Sequence, residues 1–83
     1  MQIFIKNTGH KTFTIDIDET DTIRTLFVVI NNLYNIPINY FYLTYAGKVL
    51  SPENYNLTLI HFDIKKESTL HFHYRSSGIP VII

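Results

Sequence analysis

Two stretches near the N-terminus alternate between hydrophobic and polar residues. In residues 1–6, Ile3 and Ile5 fall on one face, and residues 11–18 alternate in the same way. Alternation of this kind, with many β-branched side chains, predicts two strands. A turn sequence containing Gly9 separates them, so we expect an N-terminal hairpin with one buried and one solvent-facing side.

The spacing of the hydrophobic residues then becomes helical. The expected buried stripe is Ile23, Leu26, Ile30 and Leu33, and it is widened by Phe27, Val28, Val29 and Tyr34. Thr22 is suited to cap the helix because its hydroxyl can accept an unpaired backbone N–H. Asn35 and Pro37 are suited to end it.

The second half of the chain has shorter elements. Residues 40–45 are rich in aromatic and β-branched side chains and predict a strand, and a tight turn at 46–48 leads to a short strand at 49–50. A loop at 51–56, a short helical turn at 57–62 and a last strand at 68–74 follow. This order predicts a two-layer α+β fold, with a mixed sheet packed on one long helix.

Composition narrows the class of protein. The 83 residues suffice for one domain, and seven basic residues balance seven acidic ones, so we expect no nucleic-acid partner. Cysteine is absent, which excludes disulfides, thiolate catalysis and a cysteine-based zinc site. The sequence has no signal peptide pattern and no run long enough to span a bilayer. We therefore expect a soluble monomer of the cytoplasm or nucleus, without contact to a membrane.

Several short motifs stand in the register of one known protein family. They are Met1–Phe4, Lys11–Thr12, Asp21–Ile23, Ile36–Pro37, Ala46–Lys48 and, after a loop about three residues longer than the family's, Thr58–Leu59 and Lys66–His71. On these motifs the chain resembles the ubiquitin family over nearly its whole length. The resemblance implies a ubiquitin-like β-grasp domain at residues 1–75, followed by a flexible tail at residues 76–83.

The resemblance also implies a recognition surface on the exposed face of the sheet. The matching positions are Thr8, Thr44, His71 and His73, and only His71 keeps the family residue, because the leucine, isoleucine and valine are replaced. We expect ordinary ubiquitin receptors to bind poorly, since small interfaces depend on a few apolar anchors. The candidate partner-binding face is Phe4, Thr8, Tyr42, Thr44, His71, His73 and Arg75. These residues are equally compatible with an ordinary sheet surface.

Two further features of this family are altered or uncertain here. The tail has Arg75 at the position of a tail arginine, but Gly78 stands alone and Ile79 replaces the terminal glycine, so conjugation through a diglycine end is not expected. The apolar segment 79–83 is compatible with binding a partner, folding back or disorder. Lys6, Lys11, Lys48 and Lys66 match lysines that accept ubiquitin in the family, although solvated surface lysines are the commoner case.

Other candidate sites are weaker. His71 and His73 are two apart on a predicted strand and project from one face, so they could bind a metal or respond to pH. A closed metal site needs further ligands, which neither His10 nor His61 is certain to supply, and we expect no metal. Val29 and Leu33 either broaden the core or expose an apolar patch on the helix.

The resemblance also indicates a difference in the residues of the predicted interior. Phe27 and Pro52 stand where the family usually has a partly buried lysine and acid, and losing both charges together should leave the fold intact.

No catalytic arrangement or phosphate-binding loop is recognisable, so we expect neither an enzyme nor a cofactor. The leading hypothesis is a non-covalent protein-interaction module, an adaptor or decoy, that binds other proteins, with those of the ubiquitin system among the candidate partners. The alternative is a modifier conjugated to lysines after C-terminal processing near Gly78.

Overall fold

The computed structural model describes residues 1–7 and 11–75. Five strands form one sheet: β1 (Gln2–Asn7), β2 (Thr12–Asp16), β3 (Phe41–Tyr45), β4 (Lys48–Leu50) and β5 (Thr69–Tyr74). Their spatial order is β2-β1-β5-β3-β4, and the sheet is mixed because β1 and β5 run parallel while the other neighbours are antiparallel. The predicted hairpin is therefore present in β1 and β2, and its turn at 8–10 lies outside the described residues.

Among the described residues one α-helix forms, α1 (Ile23–Tyr34), and it packs against one face of this sheet. The Thr22 side chain caps it by accepting a hydrogen bond from the Thr25 N–H at 3.2 Å, as predicted. Asn35 ends it in the left-handed conformation with φ of 57°, and its N–H donates to the Asn31 carbonyl. Both ends of the helix thus follow the local sequence.

The prediction for the buried stripe of α1 was wrong at two positions. Leu33 is 59% exposed and Val28 is 38% exposed. The last turn is instead anchored by Tyr34, whose ring stacks on Phe13 of β2 with centroids 4.1 Å apart. This leaves Leu33 on the flank of the helix, whereas Phe27 is fully buried in its centre.

Three short 3₁₀ turns connect the remaining elements: Ile38–Tyr40, Pro52–Asn54 and Ile60–Phe62. The predicted helical turn at 57–62 is therefore confined to its last three residues, because Thr58 instead forms an isolated β-bridge with Thr22. Similarly, Tyr40 belongs to a turn and not to β3, and residues 17–18 lie beyond the end of β2. These differences move element ends and leave the predicted order intact.

The core lies between α1 and the inner face of the sheet. The buried side chains among the described residues are isoleucine, leucine and phenylalanine, and none is polar or charged. Phe41 stacks on Phe72 across β3 and β5 with centroids 4.9 Å apart, and it stacks on Phe27 of the helix at 4.8 Å. A continuous column of rings therefore joins the two layers.

The tight turn between β3 and β4 uses left-handed backbone at two successive residues. Ala46 has φ of 52° and Gly47 has φ of 80°. Two positive φ values in a two-residue hairpin loop give a turn whose twist matches that of the flanking strands.

Candidate functional site

Strand register places a row of side chains across the outer face of the sheet, opposite α1. His71 on β5 lies next to Lys6 on β1 and Thr44 on β3. The row continues to Thr12 at one edge and to Val49 at the other. Because paired residues project from the same side of a sheet, these five side chains share one surface.

Two further groups flank this row. Phe4 lies between Thr14 on β2 and Thr69 on β5 and is half-buried among them. Tyr42 on β3 lies opposite His73 on β5, two residues beyond the row and on the same face. The described members of the predicted face on the strands, Phe4, Tyr42, Thr44, His71 and His73, are thus brought together on the outer face.

His73 is the most constrained polar side chain of this surface. Its ring stacks on Tyr42, with centroids 5.0 Å apart and planes 17° from parallel. Its Nε2 lies 3.0 Å from Thr44 Oγ1, at hydrogen-bonding distance. Stacking and a hydrogen bond together hold the imidazole flat against β3, and all three side chains are half-buried.

His71 differs from His73 because it is exposed. Both project from the same face, as predicted, with Lys6 beside His71. Within residues 1–7 and 11–75, no group of three histidine, aspartate or glutamate side chains could hold a metal ion. Lys6 contributes only hydrogen-bond donors to this surface, and each neutral imidazole contributes one donor and one acceptor.

Charge is divided along the strands of the outer face. Asp16 pairs with Gln2 at one end, where its carboxylate lies 3.3 Å from the Met1 amine, and the Glu67 N–H donates to the Gln2 carbonyl. Lys6 and His71 lie toward the other end. The other acidic residues lie in the connections between strands and helix: Asp18, Glu19, Asp21, Glu53 and Asp63. The end of the outer face that holds Lys6 and His71, called the basic end below, therefore has no strand carboxylate, and Asp16 lies at the opposite end, paired with the Met1 amine.

Arg75 follows β5 directly at the basic end. Its backbone N–H donates to the Tyr40 carbonyl at 2.9 Å, which continues the pairing of β5 with the β3 side by one residue. The predicted face residue Thr8 lies outside the described residues, as do Gly78 and Ile79 of the tail. The four candidate acceptor lysines are all exposed: Lys6, Lys11, Lys48 and Lys66.

One apolar member of the outer face was missed by the sequence analysis. Val49 is 55% exposed at the edge of the row, opposite Thr44. The sequence held a signal, because Val49 and Leu50 are consecutive in a predicted strand and neighbours along a strand point to opposite faces, so only one of them can enter the core. In the structure the buried one is Leu50. Val49 gives the row an apolar end on β4.

A five-stranded mixed sheet in the order β2-β1-β5-β3-β4, covered on one face by a single helix, defines a ubiquitin-like β-grasp domain. The family model described as ubiquitin family matches residues 3–77, which is most of the chain. The chain therefore belongs to the ubiquitin family. In the part of the chain that the structure describes, no helix is long and apolar enough to cross a membrane.

Proposed function

We propose that this ubiquitin family member works as a non-covalent protein-interaction module, an adaptor or decoy, and is not a conjugated modifier. Ubiquitin-like domains commonly interact with other proteins, and this domain carries a distinctive surface for such contacts. The supporting observation is the grouping of Tyr42, Thr44 and His73 with His71 on one outer face. Tyrosine and other aromatic residues are enriched in protein interfaces.

The packing of the core does not account for the residues on the outer face. Its side chains are exposed or half-buried, and the core is formed by the residues that alternate with them on the same strands. Phe4 and Val49 leave apolar area in contact with water, and burying such area on a partner is worth about 25 cal/mol per Å². A partner that covers the face would therefore gain from apolar and polar groups together.

The sequence of the C-terminal segment supports binding over conjugation. The segment after Arg75 is Ser-Ser-Gly-Ile-Pro-Val-Ile-Ile, which has a single glycine and no diglycine. A side chain in place of the terminal glycine would collide in an enzyme channel that accepts only bare backbone. We accordingly assign no acyl-donor role in conjugation to this segment, and ubiquitination of the exposed lysines, as acceptors, stays a prediction.

Site-directed photocrosslinking tests the proposal. A photoreactive p-benzoylphenylalanine in place of His71, which is exposed on the outer face, should give discrete protein adducts in cells that express the chain. The same group in place of Asn32, exposed on α1, is the matched control and should give none of those adducts. Identical adducts from both positions, or none from His71, would overturn the proposal.

A second assay addresses conjugation. The full chain and a form ending at Gly78 are incubated with ubiquitin-activating enzyme and ATP, and intact mass is measured. We expect no thioester from either form. A thioester from the shortened form would instead make residues 79–83 a removable extension of a modifier.

A further inference from the structure

Strand β2 lies at one edge of the sheet, and its outer side is open. The order β2-β1-β5-β3-β4 gives β2 a single neighbour among residues 1–7 and 11–75. We propose that two copies of this chain pair antiparallel along β2, about a two-fold axis at Thr14, and form a weak homodimer with a continuous sheet. The monomer expected from the sequence rested on composition, which does not reveal the order of the strands.

The backbone of β2 turns alternate residues toward β1 and toward the open side. The Ile17 N–H donates to the Met1 carbonyl at 2.9 Å, and the Asn7 N–H donates to the Lys11 carbonyl at 2.8 Å. In an antiparallel pair, residues that exchange hydrogen bonds with the neighbour alternate with residues that do not. The odd-numbered residues of β2 therefore bond to β1. Three residues turn their N–H and C=O groups to the open side: Thr12, Thr14 and Asp16.

β2 also lacks the features that usually protect an edge strand from pairing. Such strands are commonly very short, or carry lysine, proline or a bulge. The sequence of β2 is Thr-Phe-Thr-Ile-Asp, in which β-branched and aromatic residues favour a strand and the one charge, Asp16, is at the end. The other edge strand, β4, has three residues, begins with Lys48 and is followed by a turn that starts at Pro52. β2 is therefore the edge that can accept another strand.

The register with Thr14 opposite its own counterpart uses every open residue of β2. Thr14 exchanges two backbone hydrogen bonds with Thr14 of the second copy, and Thr12 exchanges two with Asp16 of the second copy. The two-fold axis repeats the second pair. A register centred on Asp16 would instead place two carboxylates directly opposite each other, which is destabilising. One centred on Thr12 would carry Thr14 and Asp16 past the first residue of the other β2.

The same register is complementary in charge. The Asp16 side chain is 83% exposed and lies at the opposite end of the outer face from Lys6. Because the pairing is antiparallel, Asp16 of one copy lies beside Thr12 of the other and one strand away from its Lys6. Adjacent strands are about 4.8 Å apart, so the long Lys6 side chain can reach this carboxylate. Neither ion pair among the described residues involves Lys6.

An exposed apolar flank of α1 lies on the β2 side of the domain. Phe27 turns toward β3, where it stacks on Phe41. At 3.6 residues per turn, Leu33 and Val29 lie on the opposite flank of the helix, which faces β2. Leu33 is 59% exposed and Val29 is half-buried. A second copy along β2 would cover part of this flank, and the removal of apolar area from water favours association.

The interface is small, so the dimer should be weak. Five strand residues and part of a helix flank fall well below the roughly 800 Å² per partner of stable complexes. We expect a Kd on the order of 100 µM. The residues that support the proposed function lie on β3 and β5, away from β2. Self-association therefore goes beyond that function, and each can fail while the other holds.

Sedimentation velocity of the full chain, at concentrations from about 10 µM to about 1 mM, measures self-association. The sedimentation coefficient should rise with concentration from that of a monomer toward that of a dimer. NMR spectra of the isotope-labelled chain over the same range identify the interface. Concentration-dependent amide shifts should concentrate in β2 and on the flank of α1 that carries Leu33.

Two substitutions at the two-fold axis test the pairing. Thr14→Pro removes an N–H that is not bonded to β1, and proline is tolerated in an edge strand at such a position. Thr14→Lys places two ammonium groups opposite each other across the axis. Each should weaken the dimer at least about tenfold. Thr69→Lys makes the same change at an exposed threonine of β5 and should alter the Kd less than about twofold. The lysine variants replace exposed residues and should keep the thermal midpoint of the parent.

A charge exchange tests the contact between copies. Lys6→Glu and Asp16→Lys should each weaken the dimer about threefold, because each brings like charges together across the interface. The double variant carries both changes and should recover the affinity of the parent. Lys6 and Asp16 lie at opposite ends of one outer face, so this recovery would report a contact between two chains.

A single introduced thiol supplies independent evidence, because the chain has no cysteine. Thr14→Cys places one thiol beside its counterpart at the axis, and a short thiol crosslinker should trap a covalent dimer. Val49→Cys, 55% exposed at the opposite edge of the sheet, is the matched control and should give little dimer.

Four outcomes would each overturn the β2 dimer. They are a monomer at every concentration, amide shifts away from β2, equal affinity of Thr14→Lys and Thr69→Lys, and equal crosslinking of Thr14→Cys and Val49→Cys. A monomer whose β2 amides shift when residues 76–83 are removed would assign the open edge to that segment instead. Crosslinks of other proteins to the His71 position in cells would still support the proposed function in each case.

Discussion

Phe27 lies between two other rings, stacked on Phe41 with centroids 4.8 Å apart and met edge-on by Tyr55 at 5.4 Å. Tyr55 follows the 3₁₀ turn Pro52–Asn54 in the loop after β4. The aromatic residue in the helix and this loop therefore form one packing unit. The interior at this point is filled by aromatic rings, which fits the expectation that the lysine and the acid implied by the resemblance are lost together.

Restoring the family's charge in the helix should therefore destabilise the domain. Phe27 is fully buried, so Phe27→Lys removes its ring contacts and places an unpaired ammonium among them. We expect a loss of about 3 to 5 kcal/mol in the free energy of unfolding, measured by urea denaturation. Val28→Lys, one residue along and 38% exposed, is the control and should cost less than about 0.5 kcal/mol. Equal losses in both variants would contradict the packing of Phe27.

The hydroxyl of Tyr55 is buried and has no hydrogen-bond partner among the described residues. A buried hydroxyl without a partner costs free energy, so Tyr55→Phe should stabilise the domain by about 1 kcal/mol. Tyr34→Phe is the control, because it removes a hydroxyl from a half-buried ring that also stacks in the interior, and it should be nearly neutral. A lower stability of Tyr55→Phe would show that the hydroxyl is satisfied in solution.

The same burial raises the pKa of Tyr55 above the ordinary 10.0 of tyrosine, opposed in part by the positive charges of Arg24 and Arg75. A group whose pKa is higher in the folded state binds its proton more tightly there. Its contribution to stability is therefore complete below pH 10 and is lost as the pH rises through the folded-state pKa. Stability should fall less steeply above pH 10 in Tyr55→Phe than in the parent, which alkaline unfolding curves would measure.

The sequence predicted the strands, the helix and the hairpin because each depends on local alternation and capping, as at Thr22 and Asn35. The predicted burial of Leu33 was wrong. Helical spacing alone does not reveal that Tyr34 is the residue of the last turn that packs on the sheet, by stacking on Phe13. The candidate face could be chosen from the resemblance, but the contact of His73 with Tyr42 and Thr44 could not. Such contacts depend on which strands are neighbours, and the order β1-β5-β3 brings together residues far apart in the chain.

The exposure of Leu33 has a direct energetic consequence. Leu33→Ala removes a side chain that is 59% exposed and should cost less than about 1 kcal/mol. Leu26→Ala removes a fully buried leucine from the same helix and should cost about 2 to 5 kcal/mol. The two substitutions have the same helix propensity change, so the difference in unfolding free energy reports burial alone. Similar costs would mean that Leu33 packs into the core.

The turn between β3 and β4 allows a test of backbone strain without a change in packing. Gly47 has φ of 80°, and a Cβ added there would have no atom within 4 Å. Gly47→Ala should therefore cost about 1 kcal/mol through its backbone conformation alone. Ala46→Gly, at φ of 52°, relieves strain of the same kind and should be neutral or slightly stabilising. Thermal unfolding of both variants measures the two changes in stability. No change in stability for Gly47→Ala would contradict the left-handed turn.

The recognition surface that the resemblance implies is polar at two positions in this chain. Thr44 and His73 stand where ubiquitin has apolar residues, and they are hydrogen-bonded to each other. Thr44→Ile together with His73→Val removes both partners, so it leaves neither polar group unpaired, and β-branched residues suit strands. The parent should bind weakly to a ubiquitin-binding domain that docks on the family's apolar patch. The double variant should bind at least about tenfold more tightly in calorimetric titration, because each restored anchor contributes more than about 1 kcal/mol. Thr14→Ile adds a similar apolar group to the outer face on β2, away from the patch, and should not increase affinity. Tight binding by the parent itself would show that Thr44 and His73 are adequate anchors. The expectation that ordinary ubiquitin receptors bind poorly would then be wrong.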